Sequence, residues 1–236
     1  MSTKIAGITP YYIDSTQRSD NKLEYTKAMQ NSVCDVFLEP FNLEKNITRA
    51  DAFNLGVEKA ITKGYEIIGL FDVDIKLPID ALIDTIKLLK SNSADIVYPY
   101  SGMPLETNPN ISSKFKPYSI DKNLLAFLFN DNVDFELPYV FETKELLGLA
   151  VCMRTETFLE VGKENPNFIG WGFEDHERAA RYETLDKQIT RLPYQITHMS
   201  HDQSIRKHHL WKHNYWEMVK VTSMNKKELQ EYIKTW

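Results

Sequence analysis

Cysteine is nearly absent from this chain of 236 residues: there are two, Cys34 and Cys152, and no CxxC pair. That excludes a disulfide framework and a cysteine zinc site. Cys152 lies in an apolar run and reads as a small buried hydrophobe. Long hydrophobic runs are missing too. None approaches the ~20 residues that a membrane span needs. The opening MSTKIAGITPYY has no basic region followed by an apolar one, so no signal peptide is expected and the setting should be cytoplasmic and reducing. Charge of one sign is scarce: 33 acids against 28 bases leave a formal net charge of -5. Such a balance gives no global pull toward nucleic acid or an anionic membrane. There is no GxGxxG and no GxxxxGK[ST], which excludes a dinucleotide fingerprint and a P-loop.

What is present suits a folded α/β domain. Hydrophobic residues make up 42% and charged residues 26%, enough for a real core. Residues 4–10, KIAGITP, read as a strand ended by proline, and residues 34–41, CDVFLEPF, as a second. Between them NKLEYTKAMQNSV has helical spacing. Residues 48–64 form a clearer helix, capped by Thr48 and closed by Gly64. Ile67 to Phe71 are almost wholly apolar, as in a central strand covered on both faces. A helix opened by Pro78 and the strand ADIVYPY complete a strand–helix alternation up to residue 100. Residues 101–117 read as a long loop. LLGLAVCMRTETFLEVG returns to a strand and a short helix, QITRLPYQITHMSHDQS to one or two short strands, and the tail from Ser204 is helical by pattern.

Asp72 and Asp74, in DVD, follow the apolar strand and so sit at its carboxyl end, where open α/β sheets place ligands. Residues two apart on an extended chain point the same way. Two carboxylates so placed repel unless a proton or cation lies between them. A hard divalent ion such as Mg²⁺ or Mn²⁺ meets that need and keeps positions open for phosphates. A solvated acidic loop is the plain alternative.

The second stretch is FIGWGFEDHERAAR, residues 168–181. Gly170 and Gly172 allow backbone angles that other residues resist. Trp171 offers a flat face suited to sugar rings. Glu174 and Asp175 fall in the first turn of a helix, where free N–H groups and the helix dipole favour carboxylates and keep their pKa low. Such acids are also ordinary helix starts. His176 is a possible helper. Glu177 and Arg181 can pair across one helical turn, and Arg178 and Arg181 read as surface or framework partners. His198 and His201, in THMSHD, follow a short strand, and an imidazole from either can complete a carboxylate metal site. The basic cluster RKHHLWKH could face an anionic ligand or solvent.

Together DVD at 72–74, LGLAVCMRTETFLEVG, FIGWGFEDHERAAR and MSHD resemble GT-A glycosyltransferases, the galactosyltransferase branch with the domains of bacterial chondroitin-type polymerases. FNLEKNITRADAFNLGVEKA is similar to the FNRA segment of that family, and ITPYY to its first strand. The resemblance covers about residues 4–204 and implies a GT-A fold with a mostly parallel central sheet flanked by helices, residues 205–236 being a helical extension packed on it. It implies Mn²⁺ or Mg²⁺ on Asp74 and His201, with Asp72 toward metal and ribose and Val73 between them. It implies Pro10 and Tyr12 beside uracil, Arg49 near the nucleotide, and Trp171 along the sugar sites. Glu174 and Asp175 match the acidic pair that binds the acceptor, with Asp175 as general base. The chain departs from the pattern at Phe173, where the family has glycine, at His176, where it has a third acid, and at PYY, where it has PFR; Arg18 could replace that arginine. A related retaining branch has WG.EN and DxH instead.

The expected function is metal-dependent, inverting transfer of a hexosyl or N-acetylhexosaminyl group from a UDP-sugar to a saccharide hydroxyl. A metal-dependent phosphodiesterase or nucleotidyltransferase, a non-catalytic nucleotide-sugar or saccharide binder, and a transferase acting on modified DNA are the rivals.

Overall fold

The structure is a computed structural model that describes residues 3–12, 16–42, 47–102, 104–107, 146–170, 172–201 and 210–236. The first apolar run forms strand β1 (Ile5–Tyr11), and helix α1 (Thr16–Met29) leads from it to strand β2 (Cys34–Pro40). β1 does not stop at Pro10 as the sequence suggests. It stays paired with β2 through Pro10↔Glu39 and Tyr11↔Pro40. Its other neighbour has already ended by then, so one edge of the strand is open and a residue without an N–H is tolerated. α1 starts well before Asn21, through a polar turn that carries no apolar period to read. It ends where the Asn31 side chain accepts the N–H groups of Val33 and Cys34 at 2.9 and 3.0 Å.

Helix α2 (Arg49–Thr62) starts on a reciprocal cap: the Thr48 side chain accepts from the Asp51 N–H, and the Asp51 side chain accepts from the Thr48 N–H. Strand β3 (Ile67–Phe71) follows, with all five residues buried. After it come the two-residue strand β4 (Ile75–Lys76), helix α3 (Ile79–Lys90) and strand β5 (Ile96–Tyr98). Most of the expected loop 101–117 falls outside the described residues. Within it, strand β6 (Leu105–Glu106) was not anticipated, because two residues carry no period. Strand β7 (Ala150–Arg154), helix α4 (Thr155–Glu160) and helix α5 (Glu174–Thr184) complete the middle of the chain. Strands β8 (Ile189–Arg191) and β9 (Thr197–His198) precede helices α6 (Trp211–Thr222) and α7 (Lys226–Ile233).

The main sheet has the order β2-β1-β3-β7-β5-β8. It is parallel except at β7, which runs against both β3 and β5. The start of β7 therefore lies beside the end of β3: Ala150 pairs with Phe71. The carboxyl ends of β3, β5 and β8 and the entrance of β7 share one edge. A smaller sheet, β4-β9-β6, stands beyond that edge. Ile5, Ile8, Phe53, Val57, Ile68, Leu82 and Val97 are among the residues of the core between the sheet and its helices. No helix among the described residues is long and apolar enough to cross a membrane.

Candidate functional site

The turn after β3 is held at several points. The Asp72 N–H donates to the Leu149 carbonyl at 2.9 Å, tying it to the entrance of β7. Ile75 pairs with His198, and the Met199 N–H donates to the Asp74 carbonyl at 2.6 Å. From α1, the Asn21 carboxamide donates to the carbonyls of Met199 and Ser200 at 3.1 and 3.3 Å. These bonds bring Asp74, His198 and His201 together, with one donor atom from each lying within 4.8 Å of the others. The His201 Nε2 is 3.0 Å and the His198 Nε2 3.7 Å from Asp74 Oδ2. Burial raises the pKa of Asp74, but hydrogen bonds from the two imidazoles outweigh it and hold the carboxyl well below its usual range. An anionic oxygen and two imidazole nitrogens converging in a nearly closed site fit a divalent metal, and the nitrogens favour a transition metal such as Mn²⁺ over Mg²⁺. The sequence pointed to either histidine; the structure brings both to the carboxylate.

Asp72 lies outside that cluster. Its carboxylate is taken by Arg49 at the start of α2, whose Nη2 reaches Asp72 Oδ1. The same guanidinium puts Nη1 3.2 Å from Glu174 Oε1 and stacks 4.9 Å over the ring of Phe53. Burial lowers the Arg49 pKa, but Asp72, Asp175 and Glu174 more than reverse this and keep it charged. Asp72 in turn is pushed up by burial, with Arg49 opposing and Asp74 and Asp175 adding to the rise.

Positive φ angles cluster just before the next helix: 79° at Gly170, 116° at Gly172 and 71° at Phe173. Glycine accepts such angles freely, whereas a phenylalanine is strained there. The Phe173 ring packs edge-on against Tyr215 of α6, 5.6 Å between centroids. Trp171 lies outside the described residues. α5 then begins with Glu174, whose Oε2 accepts the Gly172 N–H at 2.6 Å. The helix start does not keep this acid's pKa low, contrary to the dipole argument. Burial and the neighbouring Asp175 push Glu174 up to about 7, with Arg49 opposing. Desolvation is the largest effect, since only 13% of the Glu174 side chain is exposed.

Asp175 points its Oδ1 at Arg178 Nη1, 3.0 Å away. Its Oδ2 lies against Gly148 so closely that a Cβ there would stand 2.6 Å from it. Arg178 is buried and also grips Glu164 through bonds of 2.8 and 2.6 Å. Arg181 pairs with Glu177 at 2.7 Å and also reaches the Lys163 carbonyl. These are buried framework pairs, not surface ones, and they fix the helix that carries the two acids. His176 is half-buried, and burial lowers its pKa against the pull of Asp175. A cavity of about 10 Å³, room for roughly one water, lies behind Arg49 between Glu164, Asn165, Glu174 and Glu177.

Pro10 is buried at the end of β1. Tyr12 is 36% exposed and packs on Phe41, 5.7 Å between ring centroids. Val73 is half-buried between the two aspartates. The side chain of Arg18 lies outside the described residues, as does most of the basic cluster before α6.

Sequence reasoning missed Gly148, Glu164 and Asn214. The fully buried Asn214 carboxamide accepts the Ile169 N–H and donates to the Ile169 carbonyl, each at 3.0 Å. Helix α6 thereby holds both ends of the glycine–tryptophan turn, through Ile169 and Phe173. An isolated asparagine in a helix carries no signal of such a role. Arg178 did carry one, since it falls three residues after Asp175 on the same helix face.

A mostly parallel sheet with one reversed strand, carrying a carboxylate–histidine cluster at its carboxyl edge, defines the class: the chain has the GT-A fold of glycosyltransferases. The family described as the N-terminal domain of galactosyltransferase matches residues 130–204. The catalytic domain of Drosophila beta1,4-galactosyltransferase 7, in complex with xylobiose, is similar at a TM-score of 0.53 and 20% identity over 87% of this chain and 74% of that one. A mutant of that enzyme with manganese, UDP-Gal and xylobiose is similar at 0.53 and 19% identity, over 87% of this chain and 74% of that one. GalNAc-T7 with UDP, GalNAc and Mn²⁺ matches at 0.55 and 11% identity, over 92% of this chain and 48% of that one. S. aureus TarS matches at 0.56 and 12% identity, over 98% and 69% of the two chains. No curated protein matches the chain in sequence.

Proposed function

We propose that this protein transfers a hexosyl or N-acetylhexosaminyl group from a UDP-sugar to a hydroxyl of a saccharide acceptor, with inversion, in polysaccharide biosynthesis. The observation that carries the reading is the junction at Arg49, which links Asp72 of the DVD turn to Glu174, the neighbour of Asp175. One guanidinium thus ties the turn that carries Asp74 to the helix start that carries the two acids. Structures of the same fold with manganese and UDP-Gal, or with UDP and Mn²⁺, support this choice of donor and metal.

Asp74, His201 and His198 would hold Mn²⁺, which when bound offsets charge on the departing diphosphate. Asp72 and Val73 meet the ribose side of the donor, with Pro10 and Tyr12 by the base. Arg49 keeps Asp72 and Glu174 in register. Asp175 removes the proton of the acceptor hydroxyl through Oδ2, since Oδ1 is held by Arg178. Glu174 orients the acceptor, and Trp171 lines the sugar sites. Residues 205–236 are an extension whose helix α6 braces the turn before α5 through Asn214 and Tyr215. The DNA-modifying alternative would need the basic cluster before α6, which lies mostly outside the described residues, and no observation among the described residues favours it.

A thermal-shift screen of UDP-Gal, UDP-GalNAc and UDP-Glc with and without Mn²⁺ tests the reading. At least one of these donors should stabilise the protein by several degrees only when Mn²⁺ is present. A flat response to every donor would remove it.

A further inference from the structure

β5 and β8 run parallel in register, so Tyr98 stands beside Arg191 at the carboxyl edge of the sheet. The Arg191 guanidinium lies 4.0 Å over the Tyr98 ring and 6.0 Å from the centre of the Tyr100 ring. Arg191 Nη1 and the Tyr98 hydroxyl are both buried, and neither has a hydrogen-bond partner. This sets Arg191 apart. Arg49, Arg154, Arg178 and Arg181 each meet a carboxylate. No carboxylate meets Arg191 among the described residues, although the chain carries an excess of acids. A buried donor left unmade is costly, and here two lie side by side. The aromatic face offsets part of the charge but cannot accept in-plane N–H bonds.

We infer that Arg191 and Tyr98 form a subsite for an anionic group, a carboxylate or phosphate, carried by the acceptor saccharide. The inference rests on the transferase reading for the identity of the ligand and on the unpaired guanidinium for its charge. A guanidinium only donates, and a tyrosine hydroxyl can donate beside it. One anionic group satisfies both, whereas a neutral sugar hydroxyl would leave the charge unmatched. The position suits an acceptor. The strand order places β8 two strands from β7, about 10 Å at the usual spacing. The entrance of β7 carries Gly148, against which Asp175 rests. The Tyr100 hydroxyl donates to the Gly148 carbonyl, so the aromatic wall is continuous from Arg191 to the base. Tyr98 feels both ends of that wall. Burial pushes its hydroxyl up to about 12, with Arg178 and Arg191 opposing and Asp175 adding to the rise. Arg191 as a whole is half-buried, whereas Tyr98 is fully buried.

The test is ligand-observed NMR on the full chain with Mn²⁺ and UDP, using glucose, glucuronate and glucose 6-phosphate as probes. The wild type should bind at least one anionic sugar about tenfold or more tightly than glucose, and the stronger of the two names the group. Arg191→Met keeps the stem over Tyr98 and should erase the preference. Tyr98→Phe removes only the hydroxyl and should reduce the preference severalfold, which covers the case of an unstable arginine variant. Equal binding of all three sugars by the wild type, or a preference that survives in Arg191→Met, overturns the subsite. UDP binding is read in the same samples. Its loss would count against the transferase reading, while UDP binding without an anion preference would count against the subsite alone.

Discussion

Arg49 and Glu174 are 125 residues apart in the chain, yet Arg49 Nη1 stands 3.2 Å from Glu174 Oε1. The other arm of the same guanidinium holds Asp72. One side chain thus spaces the turn after β3 from the start of α5, and a planar fork can do this where a single ammonium cannot. Arg49→Lys should lower kcat/KM by on the order of tenfold or more. The fold should survive, since the charge is kept. Steady-state kinetics on the donor found in the thermal-shift screen checks this, and an unchanged kcat/KM would remove Arg49 from the site.

Asp74→Ala should abolish Mn²⁺-dependent UDP binding in calorimetry, because it removes the anionic member of the cluster. His201→Ala should weaken binding more than His198→Ala, in line with their separations of 3.0 and 3.7 Å from Asp74 Oδ2. The reverse order would make His198 the principal ligand. Chelation should reproduce the Asp74→Ala result in the wild type.

Asp175→Asn should keep UDP and Mn²⁺ binding while lowering transfer by about 10²–10⁴. Gly148→Ala probes the same oxygen from the other side. The added Cβ would lie 2.6 Å from Asp175 Oδ2, so the carboxylate must turn away. Transfer should fall with donor binding intact. Near-normal kcat in both variants would exclude Asp175 as the base.

Glu174 predicts a pH effect on stability. Its folded pKa, raised to about 7, lies above the ordinary value of 4.5, so the native state binds more protons than the unfolded state between those values. Its contribution to stability is therefore lost as pH rises from about 4.5 to 7, by on the order of 3 kcal/mol. Glu174→Gln cannot ionise. Relative to wild type it should gain stability across that window in urea titrations without metal or nucleotide. A difference independent of pH would show that Glu174 titrates normally.

Asn214→Ala strips the Ile169 N–H and carbonyl of their partner and should cost about 1–3 kcal/mol. Hydrogen exchange at Ile169 should accelerate by on the order of tenfold, while β3 keeps its protection. Mn²⁺ and UDP binding should persist while transfer falls. Unchanged exchange at Ile169 would deny α6 its bracing role.

Much of this was legible before any coordinates. The apolar run Ile67–Phe71 can only be an interior strand, so the acids after it must lie at the carboxyl edge of the sheet. Thr48 and Asp51 announce the start of α2, and paired glycines with two acids announce the turn into α5. These features are local, written in period, capping and turn chemistry within a few residues of one another. The tertiary structure alone decided the rest. Pairing of Ile75 with His198 brings a second imidazole to Asp74, and no period marks a two-residue strand. Burial, which depends on every neighbour, reverses the expected acidity of Glu174. Partner choice leaves Arg191 unmatched while Arg49, Arg154, Arg178 and Arg181 find carboxylates, because pairing among charged side chains is settled by which residues the completed fold brings within reach.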